Sequence, residues 1–168
     1  LYGKYNVDNI MAAVCIGKYF KISINSISKG ISNYIPKNNR SEMIKKNSNT
    51  VLLDAYNANP SSMYASIKNF IETNFKNKIL ILGDMYELGV DEIKYHQEIT
   101  DYCQSSNIEK IILIGKIFSN TNSSEKFIKY DSVYEFINSY DFDKLKNSTI
   151  LLKGSRGEML EKVIDYIS

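Results

Sequence analysis

Four short stretches of this chain carry residue types that could do chemistry, and each follows an apolar run. They are Asp54-Ala55-Tyr56-Asn57-Ala58-Asn59-Pro60, Gly83-Asp84-Met85-Tyr86-Glu87-Leu88-Gly89, Gly115-Lys116 and Lys153-Gly154-Ser155-Arg156-Gly157. Ordinary strand-to-helix turns explain any one of them. They explain all four together less well. Asn59-Pro60 has a mechanical reading, because Asn caps helix N-termini and Pro suits the first helical position. A helix entered there turns free amides and a positive dipole end toward a carboxylate or phosphate. Gly154-Ser155-Arg156 is expected to repeat the arrangement before a last helix, with Lys153 and Arg156 as cations. Arg grips a carboxylate or phosphate with two parallel N–H groups, which Lys cannot do. Only Arg40 and Arg156 are arginine among the 21 basic residues, so their retention asks for a reason. Arg40 follows the polar connector Pro36-Lys37-Asn38-Asn39 and suits a phosphate held between two domains.

Several chemistries lack their residues. There is no Gly-x-x-x-x-Gly-Lys-Ser/Thr loop, no Gly-x-Gly-x-x-Gly after the first strand and no Gly-x-Ser-x-Gly elbow. Ser155 has no base near it in sequence, and the single histidine, His96, shares a helical stripe with Ile93, Ile99 and Cys103. That spacing reads as a half-buried structural imidazole. Cys15 and Cys103 have neither metal nor redox spacing and are expected to be reduced and mostly buried. The lysine runs 45–46 and 76–78 read as solvated surface. No metal ligand set is expected.

The elements that must position these residues follow from periodicity. Val7, Ile10, Met11 and Val14 mark one amphipathic helix, and Ile24, Ile27, Ile31 and Ile35 a second, ended by Pro36. Two helices cannot bury both faces alone, so this piece must pack on something else. A domain boundary is placed after residue 36, separating a helical tail at 1–36 from a domain at 37–168. Beyond it strand and helix alternate. Strands are expected at 50–56, 78–83, 110–115, 127–129 and 149–153, and helices at 63–75, 91–105, 132–139 and 158–167. The strands are continuous apolar runs, the pattern of a parallel sheet covered on both faces. The fold expected is α/β, a Rossmann-like, doubly wound and mostly parallel sheet, in which ligands bind at the carboxyl ends of the strands.

The 168 residues are 43% hydrophobic and 24% charged, with 21 basic and 19 acidic residues and a net charge of +2. That balance excludes a disordered tail, a disulfide-stapled scaffold and bulk phosphate-backbone binding. No apolar run approaches the roughly 18 residues that span a bilayer. The chain starts on Leu1 with no charged-then-apolar leader, and it is expected to be a cytoplasmic piece of something longer.

With these motifs assembled, the chain resembles the C-terminal part of a Mur ligase. The resemblance rests on Gly3-Lys4-Tyr5-Asn6-Val7-Asp8-Asn9, Asn39-Arg40-Ser41, the Asn-Ala-Asn-Pro stretch with Ser61-Ser62-Met63, the Gly-Asp-Met-Tyr-Glu-Leu-Gly stretch with His96 beyond it, and Lys-Gly-Ser-Arg. It implies the tail of a central ATP-binding domain followed by a complete C-terminal domain. It implies ATP and Mg²⁺, both bound mainly by an upstream part. The implied reaction joins D-alanyl-D-alanine to UDP-N-acetylmuramoyl-tripeptide through an acyl phosphate in peptidoglycan precursor synthesis. The fragment alone is expected to be inactive and monomeric, with no nucleic-acid partner and no membrane insertion. By matching motif positions, the nucleotide would be held by Asn6, Asn9, Arg40, Asp54 and Tyr56. The peptide substrates would be held by Asn57, Asn59, Asp84, Lys153, Ser155 and Arg156. The family commonly has Arg-His where this chain has Lys4-Tyr5. Two alternatives stand beside this reading: an amide ligase of folylpolyglutamate synthase type, and a receiver-like module that accepts phosphate on Asp54.

Overall fold

A computed structural model describes residues 6–167. The Gly3–Tyr5 part of the first motif, with the Lys4-Tyr5 departure, lies outside the described residues. The described chain opens with two helices, α1 (Val7–Tyr19) and α2 (Ile24–Ser32). Ser23 caps α2 by accepting the Ser26 amide, and α2 ends four residues before Pro36. Gly17 is the only buried residue of α1, and α2 has none.

The rest is one six-stranded sheet in the order β1-β2-β6-β3-β4-β5. Its strands are β1 (Glu42–Lys46), β2 (Asn49–Asp54), β3 (Lys78–Gly83), β4 (Lys110–Ile114), β5 (Phe127–Tyr130) and β6 (Thr149–Lys153). All pairs are parallel except β1 with β2. Helices α3 (Pro60–Ile71), α4 (Glu92–Gln104), α5 (Lys116–Ser119) and α6 (Val133–Ser139) connect them. Side chains alternate across a strand, so the sheet has two apolar faces. Leu52, Leu80, Leu82, Ile111, Leu113 and Leu151 pack with Met63, Ile67 and Phe70 of α3 and with Ile99 of α4. Val51, Leu53, Ile81, Ile112, Ile150 and Leu152 pack with Phe136 of α6 and with Leu160 and Val163. The chain thus runs β2 to β5 over one face and returns over the other to place β6 between β2 and β3. That reversal puts the topological switch point at the carboxyl end of β6, where such sheets bind ligands.

The expected mostly parallel, doubly wound α/β fold is observed. Four local expectations change. Strand β1 was not anticipated: its half-buried, half-exposed alternation is an edge-strand pattern in a polar stretch, and Asn47 at φ +48° turns it back into β2. Helix α5 is likewise additional. The last helix is not α-helical but two 3₁₀ stretches, Arg156–Glu158 and Leu160–Tyr166, split by Met159 in the left-handed region at φ +53°. The free-amide end expected after Gly154 is therefore not a regular helix N-terminus. Lastly, Lys78 is not plain surface, because its Nζ donates to the Ile71 and Thr73 carbonyls at the end of α3.

Candidate functional site

Register builds the centre of the site. Asp54 and Lys153 close β2 and β6 as direct parallel partners. Both continue the side-chain series of Leu52 and Leu151, so both project on the face that carries α3 and α4. Lys153 Nζ donates to Asp54 Oδ2 at 2.9 Å and to the Asn57 carbonyl at 3.4 Å. The Lys153 side chain is 2% exposed and that of Asp54 17%. Asp54 Oδ1 accepts the Ser41 amide at 3.2 Å, which ties the connector before β1 to the rim. That connector bends through left-handed residues Asn38, Asn39 and Ser41, and Asn tolerates that region best after Gly.

Asn59 caps α3 with a reciprocal box. Its Oδ1 accepts the Ser62 amide at 2.8 Å, and Ser62 Oγ accepts the Asn59 amide at 3.1 Å. The capping role expected of Asn59 and Pro60 is met, and the cap occupies the Asn59 side-chain oxygen.

A cavity of about 920 Å³ lies between this rim and the α1–α2 pair. Asn6, Asn9, Arg40, Asp54, Asn57, Asn59 and Lys153 all line it, and Ile10, Ile27, Ile31 and Tyr34 form an apolar wall. Asn6 is 6% exposed and accepts from Asn9 Nδ2 at 3.1 Å. Seven of the eleven residues named as candidates are thus brought to one space from positions up to 147 residues apart in sequence.

The other four are not on that wall. Asp84 is 2% exposed and works inside the fold. Its Oδ2 accepts the Ile117 amide at 2.9 Å and its Oδ1 the Phe118 amide at 2.8 Å, satisfying the free N–H groups that open α5. Burial raises its pKa, and those two amides oppose the rise. Gly115 makes this possible: it has φ +121°, and a Cβ there would lie 2.2 Å from the Asp84 carboxyl carbon. Ser155 is 4% exposed, and its Oγ accepts the Tyr86 amide at 2.9 Å, while its own amide donates to the Asp84 carbonyl at 2.9 Å. Asp84 and Ser155 therefore clasp the loops after β3 and β6, and as placed here their polar groups serve the fold. The clasp needs close backbone approach, since a Cβ on Gly154 would meet Gly83 Cα at 2.8 Å. Tyr86 extends it by donating its hydroxyl to Glu158, a carboxyl whose pKa burial raises. Tyr56 turns its ring to two cations instead of the cavity, with the Arg40 guanidinium carbon 3.8 Å and the Arg156 one 5.6 Å from the ring centroid.

His96 is fully buried rather than half-buried. Its Nε2 accepts the Met85 amide at 2.9 Å, and its Nδ1 lies 2.7 Å from the Glu92 carbonyl. Nδ1 is thus the protonated nitrogen, and burial pushes the pKa of the ring down. Of the two thiols, Cys103 is buried, with its pKa pushed up to about 12, whereas Cys15 is exposed on α1, against expectation. Among the described residues no group of three or more His, Cys, Asp or Glu side chains could hold a metal ion.

A family profile described as "Mur ligase, glutamate ligase domain" matches residues 39–156, which is more than half of the chain. The chain belongs to the Mur ligase family. This Mur ligase chain is 36% identical to the UDP-N-acetylmuramoyl-tripeptide–D-alanyl-D-alanine ligase of Buchnera aphidicola from Acyrthosiphon pisum, a match covering 97% of this chain and 36% of that protein. The ligase of the same name from Bacillus subtilis is 34% identical, covering 98% of this chain and 38% of that one. Among solved structures, MurF from Acinetobacter baumannii superposes with a TM-score of 0.84 at 25% identity, over 99% of this chain and 38% of that one. The chain spans little more than a third of the length of these relatives. The receiver-like alternative ends here, because the profile matches the sheet that carries Asp54 as a Mur ligase domain.

Proposed function

We propose that this chain is the C-terminal part of a cytoplasmic, ATP-dependent ligase that adds D-alanyl-D-alanine to UDP-N-acetylmuramoyl-tripeptide in peptidoglycan precursor synthesis. The observation that carries the reading is the shared cavity. Asn6 and Asn9 from α1 and Arg40, Asp54 and Lys153 from the rim meet in one space of about 920 Å³. The names of the relatives supply the substrate class. Residues 1–36 read as the tail of the ATP-binding domain and 37–168 as the C-terminal domain, working as a monomer.

The residues present fit a nucleotide in part. Asn6 and Asn9 stand beside an apolar wall, the kind of surface a purine ring packs on. Arg40 offers the phosphate contact, and Asp54 keeps lone pairs for a ribose hydroxyl beyond those used by Ser41 and Lys153. ATP supplies the phosphoryl group that converts the substrate carboxylate into an acyl phosphate. Asn57, Lys153 and Arg156 then orient the dipeptide whose amino group attacks that carbonyl and releases phosphate. Lys153, held dry against Asp54, places a fixed cation beside the rim where oxyanion charge develops. Among the described residues no three His, Cys, Asp or Glu side chains form a metal-ligand group, and we assign Mg²⁺ and the phosphate cradle to the upstream part.

The test is ligation by the full-length protein with D-alanyl-D-alanine and glutamate in competition. Incorporation of the dipeptide with release of one phosphate per bond is expected. Preferential incorporation of glutamate overturns the reading. The 168-residue chain alone is expected to turn over neither ATP nor peptide, and turnover by it would overturn the division of labour.

A further inference from the structure

We propose that Tyr56 is a positioning residue, whose ring holds Arg40 and Arg156 as the two arms of one clamp for an oxyanion, phosphoryl or carboxylate. Both guanidinium groups belong to exposed residues, and they are the only two in the chain. Their carbons lie 3.8 Å and 5.6 Å from one ring centroid, so the two cations are at most the sum of those distances apart. No carboxylate lies within ion-pair distance of either among the described residues. Two uncompensated like charges repel and attract a shared counter-ion. Long exposed side chains also lose rotamer freedom when brought together. The ring offsets both costs, because its π face attracts each cation without neutralising it.

The backbones behind the two arms are anchored independently. Arg40 precedes Ser41, whose amide is fixed on Asp54. Arg156 follows Ser155, which is clasped to Asp84 and Tyr86. Residues 116 positions apart in sequence thus reach the same aromatic platform from two separate loops. Arg40 lines the large cavity and Arg156 does not, so one arm of the clamp borders that cavity. The proposal rests on the functional reading above only for the origin of the anion.

The test uses the full-length protein with Tyr56→Phe, Tyr56→Leu, Arg40→Gln, Arg156→Gln and the double arginine variant. Isothermal titration with ADP reads the phosphoryl arm, and titration with D-alanyl-D-alanine reads the carboxylate arm. Tyr56→Leu is expected to weaken one of the two roughly five- to thirty-fold, the loss of two exposed cation–π contacts. Tyr56→Phe, which keeps the ring, should stay within about two-fold of the unsubstituted protein. The double arginine variant should lose little more than the worse single one, as expected for two arms on one anion. Thermal melts check folding, and the exposed arginine variants keep the test open if Tyr56→Leu does not fold. Unchanged affinity for both ligands in Tyr56→Leu overturns the proposal. So does equal damage by Tyr56→Phe, or arginine losses that simply add. If the clamp passes but the protein does not ligate D-alanyl-D-alanine, the functional reading fails alone. If ligation and binding persist in Tyr56→Leu, the clamp fails alone.

Discussion

Asp54 does two things at once, and the two partners of its ion pair are not equivalent. Lys153 is almost fully enclosed, whereas Asp54 keeps some contact with water. Removing the carboxylate leaves a buried ammonium without its partner, the costly half of such a pair. Asp54→Ala is therefore expected to destabilise the chain by about 3 kcal/mol in urea unfolding. Lys153→Met should cost clearly less, because the orphaned carboxylate can still reach solvent. Equal losses would show that the pair is solvated more evenly than its burial implies. His96 makes a prediction in pH. Its folded pKa is depressed below the ordinary 6.5, mainly by desolvation, with Asp84 and Glu92 opposing. The unfolded state therefore binds the extra proton first, and the contribution of His96 to stability falls as the pH drops below about 6.5. Above that pH the ring is neutral in both states and contributes no slope. His96→Gln should flatten the stability profile between about pH 6.5 and 5. An unchanged slope would assign the acid sensitivity to other groups.

At the scale of elements, the rim depends on how each strand hands over to its helix. The α3 entry is built locally: Asn59, Pro60 and Ser62 make their own cap with no help from the fold. Asn59→Ala should lower stability by about 1 kcal/mol without altering the sheet, measurable as a shifted thermal midpoint with an unchanged far-UV spectrum. This element was legible in sequence because capping is a matter of neighbouring residues. The α5 entry was not legible. Its amides are satisfied by Asp84, 33 and 34 residues away, through space left by Gly115. The sequence showed an acidic residue and a glycine at strand ends, which suggested ligand contacts. Only the parallel pairing of β3 with β4 brings them together as a structural joint. Gly115→Ala must displace the Asp84 carboxylate and occupy a strained φ, so it should destabilise far more than Asn59→Ala.

At the scale of the whole molecule, burial differs between the helical pair and the sheet, and a stability difference is expected to follow it. The sheet has a buried apolar layer on each face, while α1, α2 and the residues flanking them leave Val7, Met11, Ile16, Phe20, Ile24 and Ile35 about half exposed or more. Amides of β3, β4 and β6 are expected to exchange only on global unfolding. Those of α1 and α2 should exchange at least a hundred-fold faster, roughly 2.7 kcal/mol less protected. Exchange at one common rate would mean that the helical pair is an integral part of the domain. Deleting 1–36 should leave a cooperatively folded sheet but remove one wall of the cavity.

By itself, the sequence determined the features that depend on neighbours. These are the apolar runs that become parallel strands, the Asn-Pro helix entry, and the motif order that marks a Mur ligase. It also marked Arg40 and Arg156 as exceptions in a lysine-rich chain. Tertiary structure alone decided which of the marked residues line the cavity. Asp54 and Asp84 are both acidic residues at strand ends. Register sets Asp54 on the cavity wall beside Lys153, whereas β3 lies where a buried helix start claims Asp84. The pairing of both arginines over Tyr56 was likewise invisible, because nothing local links positions 40, 56 and 156. Side-chain type is written residue by residue, but a site is a set of directions in space. Those directions are set only when the strands take their order in the sheet.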